Sequence, residues 1–321
     1  MINVFNKINQ QISLANNILI ISHQNPDSDA LGSALAMFDY IKRLGKKVSV
    51  FTPDLPPGYF DFLPGVEIIT SDRLALNYPW DLIIILDTGD FKRAGVGASD
   101  FGGALIINID HHFSNYKFGD INYVDDLASS TCEIIYNFFQ HIKLDINKNI
   151  ATCLLCGILG DTGGFSNAAT TIDSMKISSD LINKGAKIYR INNQVIKNKT
   201  INGLRLWGDV LSRLYYDSDS EIVFTYIKEE EYQRYQVEEE ELDGLVNFLN
   251  VIADAKIATL FKINKDSTKV SMRTKRDDID LSKIAGFYGG GGHKKASGFT
   301  LDHAVDEKTD NLAGYLKNEN Y

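Results

Sequence analysis

The chain has few cysteines, few prolines, no long apolar run and no excess of positive charge, and each shortage closes off a class of protein. Three cysteines in 321 residues, Cys132, Cys153 and Cys156, cannot form a disulfide framework, and an odd count suits a reducing compartment. Cys153 and Cys156 do form a C-x-x-C, but it lies within ATCLLCGILG, which reads as a buried helix, and no second Cys/His pair has zinc-site spacing. Only 6 prolines and 25 glycines, beside 44% hydrophobic and 23% charged residues, exclude fibrous and disordered architectures. Apolar runs such as Ile18–Ile21 and Leu82–Leu86 fall far short of the ~20 residues that span a bilayer, and MINVFNKINQQ lacks the apolar stretch of a signal peptide. The expected location is the cytoplasm, with no membrane partner. A net charge of −9 and a pI of about 5.2 repel polyanions, so long duplex nucleic acid is an unfavourable partner. A short anionic substrate stays open, provided that local cations or bound metal offset the background.

What is present begins with length, which at roughly 150 residues per domain predicts about two domains. Val4, Phe5, Ile8, Ile12 and Ala15 recur at helical spacing, and Asn16-Asn17 then leads into the apolar strand ILII. A helix is expected over Ala30–Leu44, closed by Gly45, followed by the strand KKVSVFT. Further strands are expected at Leu82–Leu86 and Ala104–Ile109, and helices at Ser130–Ile142 and Ile150–Leu159. Strands apolar on both faces, alternating with helices, argue for a parallel α/β sheet. The Asn- and Lys-rich stretch after Gly185 marks a boundary, giving an N-terminal domain 1–185, a linker 186–205 and a C-terminal domain 206–321. In the C-terminal domain EIVFTYI, KIATLFKI and KVSMRT read as strands, with helices near Glu238–Ile252 and Glu307–Lys317, a smaller mixed α/β fold. The acidic runs Glu229–Glu231 and Glu238–Glu241 fit helix N-termini, where the macrodipole favours carboxylates.

Polar clusters follow the apolar runs. His23, Asp27 and Asp29 share the loop after the first strand, Asp87 follows DLIIIL, Asp110, His111 and His112 end the next strand, and Asp161 ends an apolar helix. Each has an ordinary alternative: Asp29 could cap the Ala30 helix, the histidines could be a surface pair, and Asp161 could be a helix-end residue. Three of the four clusters, however, sit at carboxyl ends of strands, where open α/β sheets place ligands, so they should converge on one side of the sheet. Imidazoles and carboxylates together suit a divalent cation.

In this order H-x-N-P-D-x-D, D-T-G-D, D-H-H and G-D-T-G resemble the four motifs of the DHH phosphoesterase family. Near the C-terminus YGGGGHKKASGF resembles the G-G-G-H signature of the DHH-associated domain, and SMRT resembles its arginine-bearing strand. The set is similar to the nanoRNase and pAp-phosphatase branch, which includes cyclic-di-AMP and pApA phosphodiesterases. The resemblance implies a parallel-sheet DHH domain, a smaller DHH-associated domain and an active site in the cleft between them. It also implies two divalent ions, usually Mn²⁺, with His23 and Asp27 on one, Asp29, His111 and Asp161 on the other, and Asp87 bridging. Asp110 would orient a histidine, His112 would contact the scissile phosphate or assist the leaving oxygen, and Asn115 matches a phosphate-contacting position.

For the C-terminal domain, the resemblance implies that Gly290, Gly291, Gly292 and His293 cradle an anion and that Arg273 grips a terminal phosphate. The expected activity is hydrolysis of short oligoribonucleotides to mononucleotides and of 3′-phosphoadenosine 5′-phosphate to AMP. Cyclic-di-AMP or pApA hydrolysis is the alternative within the same chemistry, and a catalytically inactive nucleotide- or RNA-binding module is the alternative outside it. Apolar helix faces are compatible with a homodimer without requiring one.

Overall fold

The computed structural model describes residues 2–196, 199–237, 239–242, 244–306, 312 and 314–316. The chain divides into two compact units, Met1–Asn198 and Lys199–Tyr321. The first carries α1 (Ile2–Leu14), β1 (Asn17–Ile21), α2 (Ser28–Arg43), β2 (Lys47–Phe51), β3 (Ile69–Thr70), β4 (Leu82–Leu86), β5 (Leu105–Asp110) and β6 (Ile121–Val124). Then come α3 (Thr131–His141), α4 (Lys148–Asp161), α5 (Ile172–Asn183) and α6 (Ile188–Ile191). Its six strands form one parallel sheet in the order β3-β2-β1-β4-β5-β6. Strand order reverses between β1 and β4, which opens a crevice at their carboxyl ends.

The apolar strands divide their side chains by alternation. Ile18, Ile20, Leu82 and Ile84 face one core with residues of α1 to α5, while Leu19, Ile21, Ile83 and Ile85 face a second with Phe51, Leu76, Trp80 and Phe101. Each such side chain, withdrawn from water, contributes about 1.5–3 kcal/mol. Glycines let α2 and α4 approach closely. A Cβ on Gly157 would lie 2.3 Å from Cys132 Sγ and 2.5 Å from an Asp29 oxygen, and one on Gly160 would strike Ser28. That contact sets Asp161, at the end of α4, beside the loop that opens α2. Cys132, Cys153 and Cys156 are free thiols buried in this packing.

The helix expected from Ala30 starts at Ser28, and its cap is Asp27 rather than Asp29. The Asp27 carboxylate accepts the backbone N–H groups of Asp29 and Ala30, both at 3.0 Å. The short strands β3 and β6 carry too little apolar pattern to stand out in the sequence.

The second unit comprises α7 (Ile201–Ser212), β7 (Tyr215–Asp217), β8 (Ile222–Lys228), α8 (Glu229–Tyr235), α9 (Leu245–Leu249), β9 (Ile257–Ile263) and β10 (Thr268–Arg273). α10 (Leu281–Phe287), β11 (Gly291–His293) and β12 (Ala296–Leu301) complete it. Its mixed sheet runs β11-β12-β10-β9-β8-β7, with β8 and β9 parallel and the other pairs antiparallel. Glu229–Glu231 form the first turn of α8, as the helix-dipole argument expects. The single helix expected over Glu238–Ile252 is instead a 3₁₀ turn at Glu239–Leu242 and the short α9, because Gly244 between them takes φ 86°. The helix expected over Glu307–Lys317 lies largely outside the described residues, although Leu312 and Leu316 are buried in the core of this unit. No helix among the described residues is long and apolar enough to cross a membrane.

Candidate metal centre

Neighbouring strands β1, β4 and β5 deliver His23, Asp87 and the Asp110-His111-His112 run to one edge of the sheet, α2 adds Asp27 and Asp29, and α4 adds Asp161. Asp87 sits at φ 57°, a left-handed conformation that costs a non-glycine residue about 1–3 kcal/mol and is held by its surroundings. The two Asp87 oxygens face different partners. Oδ2 lies 3.4 Å from His23 Nε2, and Oδ1 lies 3.6 Å from His111 Nε2. His23 Nε2 is 3.8 Å from Asp27, while His111 Nε2 is 3.1 Å from Asp161 and 4.0 Å from Asp29. Two donor sets result, His23–Asp27–Asp87 and Asp29–His111–Asp161, each with its ligand atoms within 4.8 Å of one another. A third grouping, Asp87–His111–His112, links them.

Buried carboxylates without a cation are costly. No lysine or arginine among the described residues pairs with Asp29, Asp87 or Asp161, so the compensation comes from the histidines together with backbone amides and the Thr131 hydroxyl. Burial, then the charges of Asp87 and Asp161, raise the Asp29 carboxyl well above its ordinary range. Burial likewise pushes Asp161 up to about 6 against its bond from His111. Burial would also raise Asp87, but the hydrogen bond from His23 and the charges of His112, His23 and His111 outweigh it and hold the group low. For His23, burial favours the neutral ring, yet the Asp87 hydrogen bond and the Asp27 and Asp87 charges raise it to about 9. His111 is raised for the same reason, with Asp161 as its main partner. Protonated His23 and His111 rings would partner these carboxylates wherever no cation is bound. A dry, mixed N/O set with excess carboxylate fits divalent cations, which would replace those protons.

Around the cluster the structure adds supports. Asp29 receives the Thr131 and Cys132 backbone N–H groups at 2.6 and 2.9 Å, so it locks onto the N-terminus of α3. Thr131 Oγ1 donates to Asp87 Oδ1 at 3.1 Å. Asp110 Oδ1 accepts hydrogen bonds from His112 Nδ1 at 2.7 Å and from the His111 backbone amide at 2.8 Å, so the histidine it orients is His112. Burial works against a charged His112, but the Asp110 bond and the Asp87 charge raise its pKa overall. Asn115, expected to contact a phosphate, also has partners within the protein. Asn115 is buried, with its amide nitrogen directed at Asp110 Oδ2 (2.7 Å), Asn108 Oδ1 (2.8 Å) and the Thr88 carbonyl (3.2 Å). It supports Asp110 and, through it, His112. Sequence reasoning missed Thr131 and Asn108; Asn108 had one visible signal, an amide inside the apolar strand LIINID.

In the second unit, Arg273 ends β10. Its Nε donates to Asn247 Oδ1 at 2.7 Å and one terminal nitrogen to the Met272 carbonyl at 2.9 Å, and no carboxylate pairs with it among the described residues. Burial lowers its pKa, and the group is a half-buried cation with no carboxylate partner among the described residues. The glycine run is a hairpin rather than an open loop: Gly291, Gly292 and His293 pair with Gly298, Ser297 and Ala296 of β12. The amides of Gly289 and Gly290 donate to the carbonyls of Gly286 and Ala285. A Cβ on Gly290 would lie 2.3 Å from the Gly298 carbonyl, and one on Gly292 2.6 Å from the Ala296 carbonyl, whereas one on Gly291 would meet nothing within 4 Å.

A parallel α/β sheet with paired Asp/His donor sets at its carboxyl edge defines a metal-dependent phosphoester hydrolase, and the chain belongs to the DHH family. Residues 17–158 match the DHH family, N-terminal domain, and residues 219–318 match the DHHA1 domain. The chain is 30% identical to a bifunctional oligoribonuclease and PAP phosphatase NrnA of Thermus thermophilus, over 88% of this chain and 84% of the relative. The Bacillus subtilis protein of that name is 28% identical over 90% of this chain and 91% of its own. An exopolyphosphatase-related protein of Bacteroides fragilis superposes with a TM-score of 0.89 at 26% identity, covering 98% of this chain and 96% of that one.

Proposed function

We propose that the chain releases mononucleotides from single-stranded RNAs a few residues long and converts 3′-phosphoadenosine 5′-phosphate to AMP, using two divalent cations, best suited as Mn²⁺. The observation that carries this reading is the Asp87 carboxylate, whose two oxygens face separate donor sets. The names of relatives covering about nine-tenths of the chain support the substrate class. His23 and Asp27 are assigned to one ion, Asp29, His111 and Asp161 to the other, and Asp87 to both. When bound, two such cations supply a water of lowered pKa and positive charge against the phosphate oxygens. His112, held at Nδ1 by Asp110, presents Nε2 as the atom that moves a proton to the leaving oxygen. Arg273 and the Gly291–His293 segment hold a terminal phosphate, which an unpaired guanidinium does through two parallel bonds. Three buried free thiols support the cytoplasm as its location.

The test is kcat/KM in Mn²⁺ for 3′-phosphoadenosine 5′-phosphate, pApA, cyclic-di-AMP and a single-stranded RNA series from dinucleotide to about 24-mer at fixed ionic strength. Efficiency should peak at about two to five nucleotides and fall with length, because a chain of net charge −9 offers no long basic track. A profile that rises with length, or a clear preference for cyclic-di-AMP, overturns the assignment.

A further inference from the structure

The loops that follow β4 and β5 carry aromatic and basic side chains for which the chemistry above has no use. Phe91 and Phe118 meet at 4.4 Å between ring centroids and Phe118 meets Tyr116 at 5.8 Å, so a row of rings crosses from the first loop to the second. At its end Tyr116 is 64% exposed, and Phe113, next to His112, is 75% exposed. Lys92 and Arg93 on the first loop and Lys117 on the second are exposed too, and no carboxylate among the described residues pairs with them. The nearby Asp90 carboxylate is engaged by the Arg93 backbone amide at 2.6 Å.

The two loops form one body against the metal centre. Gly89 packs so closely on Asn115 that a Cβ there would lie 3.2 Å from the Asn115 Cα. The Arg93 carbonyl accepts from the amide of Gln24, the neighbour of His23, at 2.8 Å. Asn115 Oδ1 accepts from the Lys117 amide at 2.6 Å and steadies its left-handed φ of 58°, while the other end of the same side chain holds Asp110. One asparagine thus fixes both the histidine orienter and the surface beside it.

Exposed rings interleaved with unpaired cations are what a single strand of nucleic acid recognises, since bases stack on rings and phosphates meet cations without regard to sequence. We propose that Lys92, Arg93, Phe113, Tyr116 and Lys117 form an accessory track for the second and following nucleotides of a short single-stranded RNA. The inference rests on the phosphoesterase reading for the position of the scissile phosphate. It explains how an acidic protein can favour a few nucleotides over one: the track is local and short.

The experiment compares Tyr116→Ala, the double variant Lys92→Ala/Arg93→Ala and the ring-preserving Tyr116→Phe with the parent chain. Binding of a labelled, hydrolysis-resistant phosphorothioate tetranucleotide is read by fluorescence anisotropy, and kcat/KM is measured on a tetranucleotide and on 3′-phosphoadenosine 5′-phosphate. Tyr116→Ala and the double variant should each weaken tetranucleotide binding about tenfold, with Tyr116→Phe within about twofold of the parent. The ratio of kcat/KM for tetranucleotide over mononucleotide should fall by a similar factor, and the double variant should show a log–log salt slope shallower by about 1.4. Unchanged binding and an unchanged ratio overturn the track while leaving the phosphoesterase reading intact. Loss of binding in these variants of a chain that hydrolyses neither substrate upholds the track and removes that reading.

Discussion

At the carboxyl edge of β1, β4 and β5 the side chains of Asp29, Asp87, Asp161, His23 and His111 crowd into a dry site where carboxylates outnumber obvious partners. At the β11–β12 hairpin of the other unit, the equally conspicuous glycines satisfy a backbone requirement, because Gly290 and Gly292 sit where strand β12 leaves no room for a Cβ. The first arrangement is expensive for folding and is explained by a ligand; most of the second is explained by packing alone. Arg273 and Gly291 are the exceptions in the second region, one a cation with no carboxylate partner among the described residues and the other a glycine with open space around it. A motif residue therefore argues for function only after its packing role has been subtracted.

The largest effect should come from Asp87→Ala, which removes the carboxylate whose two oxygens face His23 and His111 and which is proposed to serve both ions, and should lower kcat/KM by at least about a thousandfold with the fold retained. A folded variant keeping more than about a tenth of parental kcat in excess Mn²⁺ would sink the shared-carboxylate assignment. Arg273→Ala should raise KM for nucleotide substrates by about ten- to a hundredfold with metal content unchanged, and should affect an aryl phosphodiester lacking a second phosphate far less. Equal losses on both substrates, or lost metal, would erase the distinction between the two regions.

The hairpin allows a sharper split. Gly290→Ala should cost about 1–3 kcal/mol by overpacking against the Gly298 carbonyl, whereas Gly291→Ala should stay within about 0.5 kcal/mol and act on KM instead. Thermal denaturation of the full chain, alongside kinetics, checks both; similar melting shifts for the two would contradict the packing account. The smallest effect is a pH dependence. In the metal-free protein the raised His23 pKa adds stability that is fully present below its unfolded value of 6.5 and is lost as pH rises through about 9. Cations need that ring neutral, so metal affinity should run the opposite way and rise with pH, with protons released on binding. Calorimetry of Mn²⁺ binding in two buffers of different ionisation enthalpy measures the release, and none at pH 7 would remove the proton-held cluster.

The parallel sheet and the convergence of four polar clusters were legible because apolar strands buried on both faces are distinctive and their carboxyl ends lie on one side. What the chain pattern did not reveal depends on contacts distant in sequence. Asp29 reads as the helix cap in the sequence, and only the approach of α3 assigns it to Thr131 and Cys132 instead. The contacts of Asn115 with Asn108 and Asp110 join different strands and loops and leave no local pattern in the sequence. The split of the expected Glu238–Ile252 helix had a local cause, Gly244, which composition alone did not weigh heavily enough.

The most direct measurement is a metal titration of chelator-stripped protein, with turnover of 3′-phosphoadenosine 5′-phosphate and of a short RNA followed as Mn²⁺ is added back. Both activities should be absent without metal, return together and saturate at about two equivalents, as the proposed sharing of Asp87 by two ions would require. Turnover that persists in the stripped protein, or that saturates at a single equivalent, would contradict the account.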